Sequence, residues 1–213
     1  MPLWNLITRF GDSSLLLPCA LFIYAWLLLR RETYNANCWL LLFGLAAGVT
    51  LVSKLAFMGW GIGIPAWNFT GLSGHSMMAA SVLPVLCSLL LPARPAWRLA
   101  AAAGGAVLAV LVGVSRLQIN VHSPAEVYGG LAVGLAASGA FLCLTQRRLP
   151  SLSPVLLALV LLLASLQGVT GVRAPTHQML ERIAAYMADR DQPFKRGEWG
   201  GFHRLDAQQT PAA

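Results

Sequence analysis

The sequence predicts an all-α, polytopic membrane protein built as a six-helix transmembrane bundle. Three observations carry this reading. Of 213 residues, 57% are hydrophobic and only 11% are charged, whereas a soluble domain carries about 25% charged residues. The mean hydropathy is +0.65. The apolar residues also fall into blocks rather than amphipathic stripes, and blocks of about 20 residues match the hydrocarbon thickness of a bilayer.

The first block, 14–29, follows Arg9 and Asp12 and has no clear cleavage box after it, so it is expected to be a retained helix rather than a removable leader. The second covers 38–58. The third, 76–91, is short like the first and needs flanking residues to complete a crossing. The fourth covers 97–114 and contains Gly104-Gly105. The fifth covers 127–145 and contains Gly130 and Gly134 in a GxxxG arrangement, a pattern suited to close helix packing. The sixth covers 154–172. Residues 1–172 thus form one membrane domain, and 173–213 form a tail.

In the tail, Met179, Ile183 and Met187 recur every four residues with Leu180 and Ala184 beside them. This predicts an amphipathic helix over 176–189, lying on the outer membrane surface. Residues 195–204 mix basic, aromatic and glycine residues. They are expected to form a surface segment, with a cover over the polar clusters described below as the alternative. Residues 207–213 are expected to be disordered.

The loops alternate in charge. Arg30 and Arg31 follow the first block, Arg94 and Arg98 the third, and Arg147 and Arg148 the fifth. The opposite short loops hold only Lys54 and Arg116. Arginine-rich loops stay in the cytoplasm, which puts both termini outside and makes the tail extracytoplasmic. The net charge of +7 therefore sets topology and implies no nucleic-acid partner. Cys19, Cys38, Cys87 and Cys143 lie in or beside apolar blocks without C-x-x-C spacing, so neither a zinc site nor a disulfide framework is indicated.

Two polar clusters interrupt this pattern, both on the predicted outer side. Residues 114–126 place Arg116, His122 and Glu126 between the fourth and fifth blocks. Ionisable groups at a membrane edge point to function. Arg presents a fork of donors to phosphate oxygens, and a carboxylate near a histidine fixes its tautomer. The same stretch also reads as a helix start, with Ser123 as cap, Pro124 first in the helix and Glu126 closing a capping box. In the second cluster, 69–76, Ser73 and Gly74 precede a helix and offer a hydroxyl and free backbone N–H groups to an anion, beside His75. Lys54 adds a cation on that side, or snorkels to the interface. Trp60, Trp67 and Phe69 fit an interfacial aromatic belt.

Ser73-Gly74-His75, followed by Ser115-Arg116, five residues, His122, three residues and Glu126, resembles the type 2 phosphatidic acid phosphatase family. Its membrane members carry K-x6-R-P, P-S-G-H and S-R-x5-H-x3-D. The third motif matches throughout in spacing. Leu72 stands where the second usually has proline, and Glu126 where the third has aspartate. After Lys54, Gly61 and Ile62 occupy the R-P positions.

The resemblance implies an integral membrane lipid phosphate phosphatase working through a phosphohistidine, without metal or cofactor. It implies His122 as nucleophile, His75 as leaving-group acid and Glu126 as partner of His122. Lys54, Ser73, Gly74, Ser115 and Arg116 would bind phosphate. The substrate class would be a phospholipid or isoprenyl (di)phosphate held in the bilayer, and the setting a bacterial inner (plasma) membrane with the site facing out. A lipid phosphotransferase and a noncatalytic membrane binder of lipid phosphate are the alternatives.

Overall fold

The computed structural model describes residues 2–92, 94–145, 149–152 and 176–196, with single positions at 155, 158 and 162. Among them the regular secondary structure is helical, apart from one isolated bridge between Ile64 and Phe69. The helices are α1 (Pro2–Arg9), α2 (Ser13–Leu29), α3 (Thr33–Trp60), α4 (Gly74–Leu90), α5 (Pro95–Gln118), α6 (Pro124–Thr145) and α7 (Thr176–Met187), with a 3₁₀ turn at Pro65–Trp67. Four stretches are long and apolar enough to cross a membrane: Leu3–Leu29, Thr33–Trp60, Pro95–Gln118 and Pro124–Thr145. The sixth predicted block, 154–172, lies outside the described residues except at the three single positions.

The first five blocks all appear as helices, and the structure extends most of them. The causes are local. Asp12 accepts from the Ser14 amide at 2.9 Å and starts α2. Gly61, at φ +68, ends α3 in the left-handed conformation that glycine adopts without strain. The fourth block stops at 114, but α5 continues through Gln118 and so carries Ser115 and Arg116. Asn120, at φ 55, then turns the chain toward His122, using a left-handed conformation that Asn tolerates.

α4 is short for an apolar helix and is the central one. Its 17 residues span about 25 Å, and 12 of them are buried by α2, α3, α5 and α6. Small residues permit this. A Cβ at Gly130 would come within 2.6 Å of the Ser73 carbonyl oxygen, and one at Gly134 would strike the Met77 carbonyl. The GxxxG pair of α6 therefore seats directly on the α4 backbone. Gly105 does the same from α5, where a Cβ would lie 2.6 Å from the Leu83 carbonyl oxygen; Gly104 faces open space. The core continues around Trp39, which is 1% exposed. Its indole donates to the Ala20 carbonyl at 3.0 Å and meets Phe141 edge-on at 5.4 Å.

The helix ends divide the polar residues. Arg94 and Arg98 stand where α4 ends and α5 begins, opposite the two motif clusters. Arg98 is buried, donating to the Leu149 carbonyl at 2.7 Å and Ser151 Oγ at 3.2 Å. One of the arginines counted for topology is thus also a structural tie for the 149–152 segment.

At the other end, α7 forms as its four-residue spacing predicts. It packs on α3 through Ala184, whose carbonyl oxygen would be 3.3 Å from a Cβ at Gly59. Met179, Ile183 and Met187 stay exposed. Of the 195–204 segment only 195 and 196 are described; the Phe194 amide just before it donates to the Met58 carbonyl at 2.7 Å, at the end of α3, and Arg196 reaches the polar cluster. Residues 197–213, including the expected disordered end, lie outside the described residues.

Candidate active site

The site is built where α4 and α6 begin and α3 and α5 end. Glu126 is its centre. It sits in the first turn of α6 with 0% exposure. Its Oε2 lies 2.7 Å from His122 Nδ1 and accepts from the Ser123 amide at 3.1 Å. Its Oε1 accepts from the Thr70 amide at 2.8 Å and the Thr70 hydroxyl at 2.6 Å. Arg196 Nη2 donates to both oxygens at 2.8 Å.

This geometry joins the two readings of Glu126. The capping box is present, with the Glu126 amide donating to Ser123 Oγ at 3.4 Å and the Ser123 amide returning to the carboxylate. Capping contributes about 1 kcal/mol and can be done by an exposed side chain. Burying a carboxylate costs several kcal/mol unless partners compensate. Four residues supplying hydrogen bonds to one carboxylate is far more than a cap requires.

His122 follows α5 in the turn before α6, with its side chain 15% exposed. Burial holds its pKa below the ordinary 6.5, with Lys54 and Arg116 adding to the effect and Glu126 opposing it. The neutral ring is therefore favoured at neutral pH. With Nδ1 directed at Glu126, Nε2 is the nitrogen left for reaction.

His75 occupies the first turn of α4, immediately behind Ser73 and Gly74. The charges that act on it are those of Arg116, Asp12, His122 and Lys54, so the two histidines and the predicted cations share one site. Lys54 reaches from α3, with Nζ 3.8 Å from where a Cβ on Gly74 would stand. The loop passes over Lys54 at Gly71, whose φ is +132 and whose Cβ would fall 3.0 Å from Lys54 Cα; both facts require glycine there.

Arg116, in the last turn of α5, donates from Nη1 to Thr8 Oγ1 at 3.0 Å. Its buried Nε has no partner among the described residues. Ser73 is buried and caps α4, accepting from the Ser76 amide at 3.4 Å and the Ser76 hydroxyl at 3.0 Å, while its own amide donates to the Glu126 carbonyl at 3.0 Å. Ser115 is placed differently: its hydroxyl donates to the Val112 carbonyl at 2.6 Å inside α5. Trp60 and Trp67 are exposed. Among the described residues no three His, Cys, Asp or Glu side chains gather as metal ligands.

Several members of the site were missed in the sequence. Thr70 was visible beside the Ser-Gly-His cluster but lacked a pattern linking it to Glu126. Arg196 carried only the signal of a basic tail. Thr8 and Asp12 come from the first helices, and Ser53 Oγ accepts from the Leu72 amide at 3.0 Å to hold the loop. The arrangement offers a nucleophilic ring nitrogen, a second imidazole and several cations around one small volume.

Comparisons with known proteins agree with this architecture. The PAP2 superfamily profile matches residues 63–150. An uncharacterised 22.5 kDa protein in the cps region of Klebsiella pneumoniae is 42% identical over 201 residues, covering 91% of this chain and 95% of its own. Phosphatidylglycerophosphatase B of Bacillus subtilis (strain 168) is 35% identical over 136 residues, covering 61% and 67% respectively. The crystal structure of a transmembrane PAP2-type phosphatidylglycerolphosphate phosphatase from Bacillus subtilis superposes with a TM-score of 0.53 at 30% identity, over 69% of this chain and 77% of that one.

Proposed function

The chain belongs to the PAP2 superfamily, and from that premise we propose that it hydrolyses a lipid phosphate through a phosphohistidine on His122. The observation that carries this is the 2.7 Å contact between His122 Nδ1 and the buried Glu126. Anion binding alone has no use for an imidazole–carboxylate pair. A nucleophile does, because the carboxylate holds the ring in one tautomer and stabilises the imidazolium that forms.

In the first step the Nε2 lone pair attacks phosphorus and the bond to the leaving oxygen breaks. Burial, with Arg116 adding, lowers the His75 pKa to about 4 in the free site; the negative charge of the bound phosphate favours its protonation, and His75 then gives that proton to the leaving oxygen. Lys54, Arg116 and the backbone N–H groups at the start of α4 hold the nonbridging oxygens as negative charge shifts. In the second step water attacks phosphorus and loses a proton to His75. The P–N bond breaks, phosphate leaves, and both histidines return to their starting states.

The substrate's chains would remain in the bilayer while its headgroup meets the helix ends. Phosphatidylglycerol phosphate stands first among the candidates because the Bacillus subtilis relatives carry that activity in their names; phosphatidic acid and isoprenyl (di)phosphates follow. The arginine-rich loops expected at the opposite end support a site facing out of the cytoplasm.

The test is phosphate release by purified protein from a panel of these lipids, with and without chelator, paired with rapid acid-free quenching to trap labelled enzyme. We expect release with chelator present and an alkali-stable, acid-labile phosphoprotein that vanishes in His122→Ala. Full turnover by His122→Ala would remove the mechanism.

A further inference from the structure

The tail after α7 enters the site, and its route is specific. The Phe194 amide bonds to the Met58 carbonyl at 2.7 Å. The Phe194 ring lies against Gly61, where a Cβ would sit 3.4 Å from it, and the Arg190 guanidinium lies 3.7 Å from the ring centroid. Two residues later, Arg196 Nη2 donates to both oxygens of Glu126 at 2.8 Å and to Thr70 Oγ1 at 3.0 Å. The Arg196 side chain is 34% exposed while Glu126 is 0% exposed.

We propose that Arg196 is a positioning residue of the active site, delivered by the tail and anchored through Phe194 on the end of α3. Glu126 must keep Oε2 on His122 and the Ser123 amide while Oε1 faces Thr70. Thr70 holds Oε1 and the Ser123 amide holds Oε2 at 3.1 Å, so no other donor bridges the two oxygens among these contacts. Arg196 spans both oxygens. It also balances the buried negative charge, which would otherwise draw a proton or a stray cation into the site. Gly61, seven residues after Lys54, takes part by its smallness: the space over it holds Phe194 instead of a side chain of α3 itself. The tail is thereby a structural part of the reaction centre.

The inference rests on His122 acting as nucleophile, and its test keeps the two apart. Turnover is measured for the full chain, Arg196→Ala, Arg196→Lys, Phe194→Ala and the double variant Arg196→Ala/Glu126→Gln. Arg196→Ala is expected to lower kcat by about 10- to 100-fold, the rate equivalent of losing charge-assisted hydrogen bonds, while KM stays within about twofold. Its kcat/KM should also fall off at higher pH on the acid side, since a cation beside the His122–Glu126 pair is gone. The remaining charged neighbours, Lys54 of α3, His75 of α4, Arg116 of α5 and Asp12 before α2, are unchanged by the substitution. Arg196→Lys should restore part of the rate, and Phe194→Ala should act in the same direction as Arg196→Ala.

In Glu126→Gln, adding Arg196→Ala should change the rate by less than about twofold, because the partner is already altered. Melting temperatures of the same set give a readout independent of turnover: the losses from Arg196→Ala and Glu126→Gln should be less than additive. Unchanged kcat and pH profile in Arg196→Ala, with His122→Ala inactive, overturns this proposal alone. A rise in KM without loss of kcat also overturns it, in favour of direct phosphate binding. Activity that survives His122→Ala overturns the underlying mechanism and with it the role of Arg196, while the melting cycle still reports whether the contact exists.

Discussion

His122 and Glu126 stand one helical turn apart in sequence and 2.7 Å apart in space, Nδ1 to Oε2. The contact is short because Ser123 begins α6 between them, and the capping box that starts the helix also aims the carboxylate. One local motif thus performs two tasks, and substitutions at Glu126 can separate them.

Glu126→Gln keeps the size of the side chain and can still cap through its amide oxygen. It replaces one of two acceptors with a donor, facing Thr70, Ser123 and Arg196, all of which donate. The expected result is a folded protein whose turnover falls on the order of 10³- to 10⁴-fold, as when the acid of a catalytic triad is neutralised. Circular dichroism and phosphate release on the same sample decide this. Glu126→Asp keeps the charge with a shorter reach and should retain reduced, measurable activity.

His75→Ala should lower turnover on the order of 10²- to 10⁴-fold, the usual size of a general-acid contribution. The loss should be smaller for an aryl phosphate, whose leaving group needs little protonation. Equal losses on lipid and aryl substrates would assign His75 to binding or packing.

The pH dependence follows from the direction of the His122 shift. Burial lowers its pKa, with Lys54 and Arg116 adding and Glu126 opposing, so the nucleophilic neutral form persists to lower pH than a free imidazole would allow. The acid limb of kcat/KM assigned to His122 is expected below 6.5. For stability the sign is the same: below that value the unfolded chain binds the proton more readily, so this residue's effect makes stability rise with pH through the window. A limb above 6.5 that stays in place in Arg116→Gln would instead assign it to another group.

The proposed outward orientation is checked by thiol labelling in intact cells, using a chain with its four native cysteines replaced. Val121→Cys, exposed beside the site, should react with a membrane-impermeant reagent, and Arg94→Cys, exposed at the other end, should not. The reverse pattern would place the site in the cytoplasm.

Much of this protein was legible in its sequence because the deciding forces are local. Apolar blocks of bilayer length specify helices wherever they stand, and five of the six blocks coincide with described helices. Ser123, Pro124 and Glu126 spell a helix start, and the four-residue step from His122 to Glu126 predicts their contact. Gly130 and Gly134 announced close packing, though not that the partner would be the α4 backbone.

The tertiary structure decided what lies far apart along the chain. Thr70 reaches Glu126 across 56 residues and Arg196 across 70, while Thr8 reaches Arg116 across 108. No periodicity or spacing encodes such pairs, because they depend on how helix ends assemble around α4. The same holds for Ser115, which stands in the motif yet donates to Val112 within its own helix. The sequence by itself determined the membrane helices and the local histidine–carboxylate unit, through hydrophobic length and helical geometry. Only the packed bundle determined which distant side chains surround that unit, since a buried carboxylate must collect donors from whichever elements end beside it.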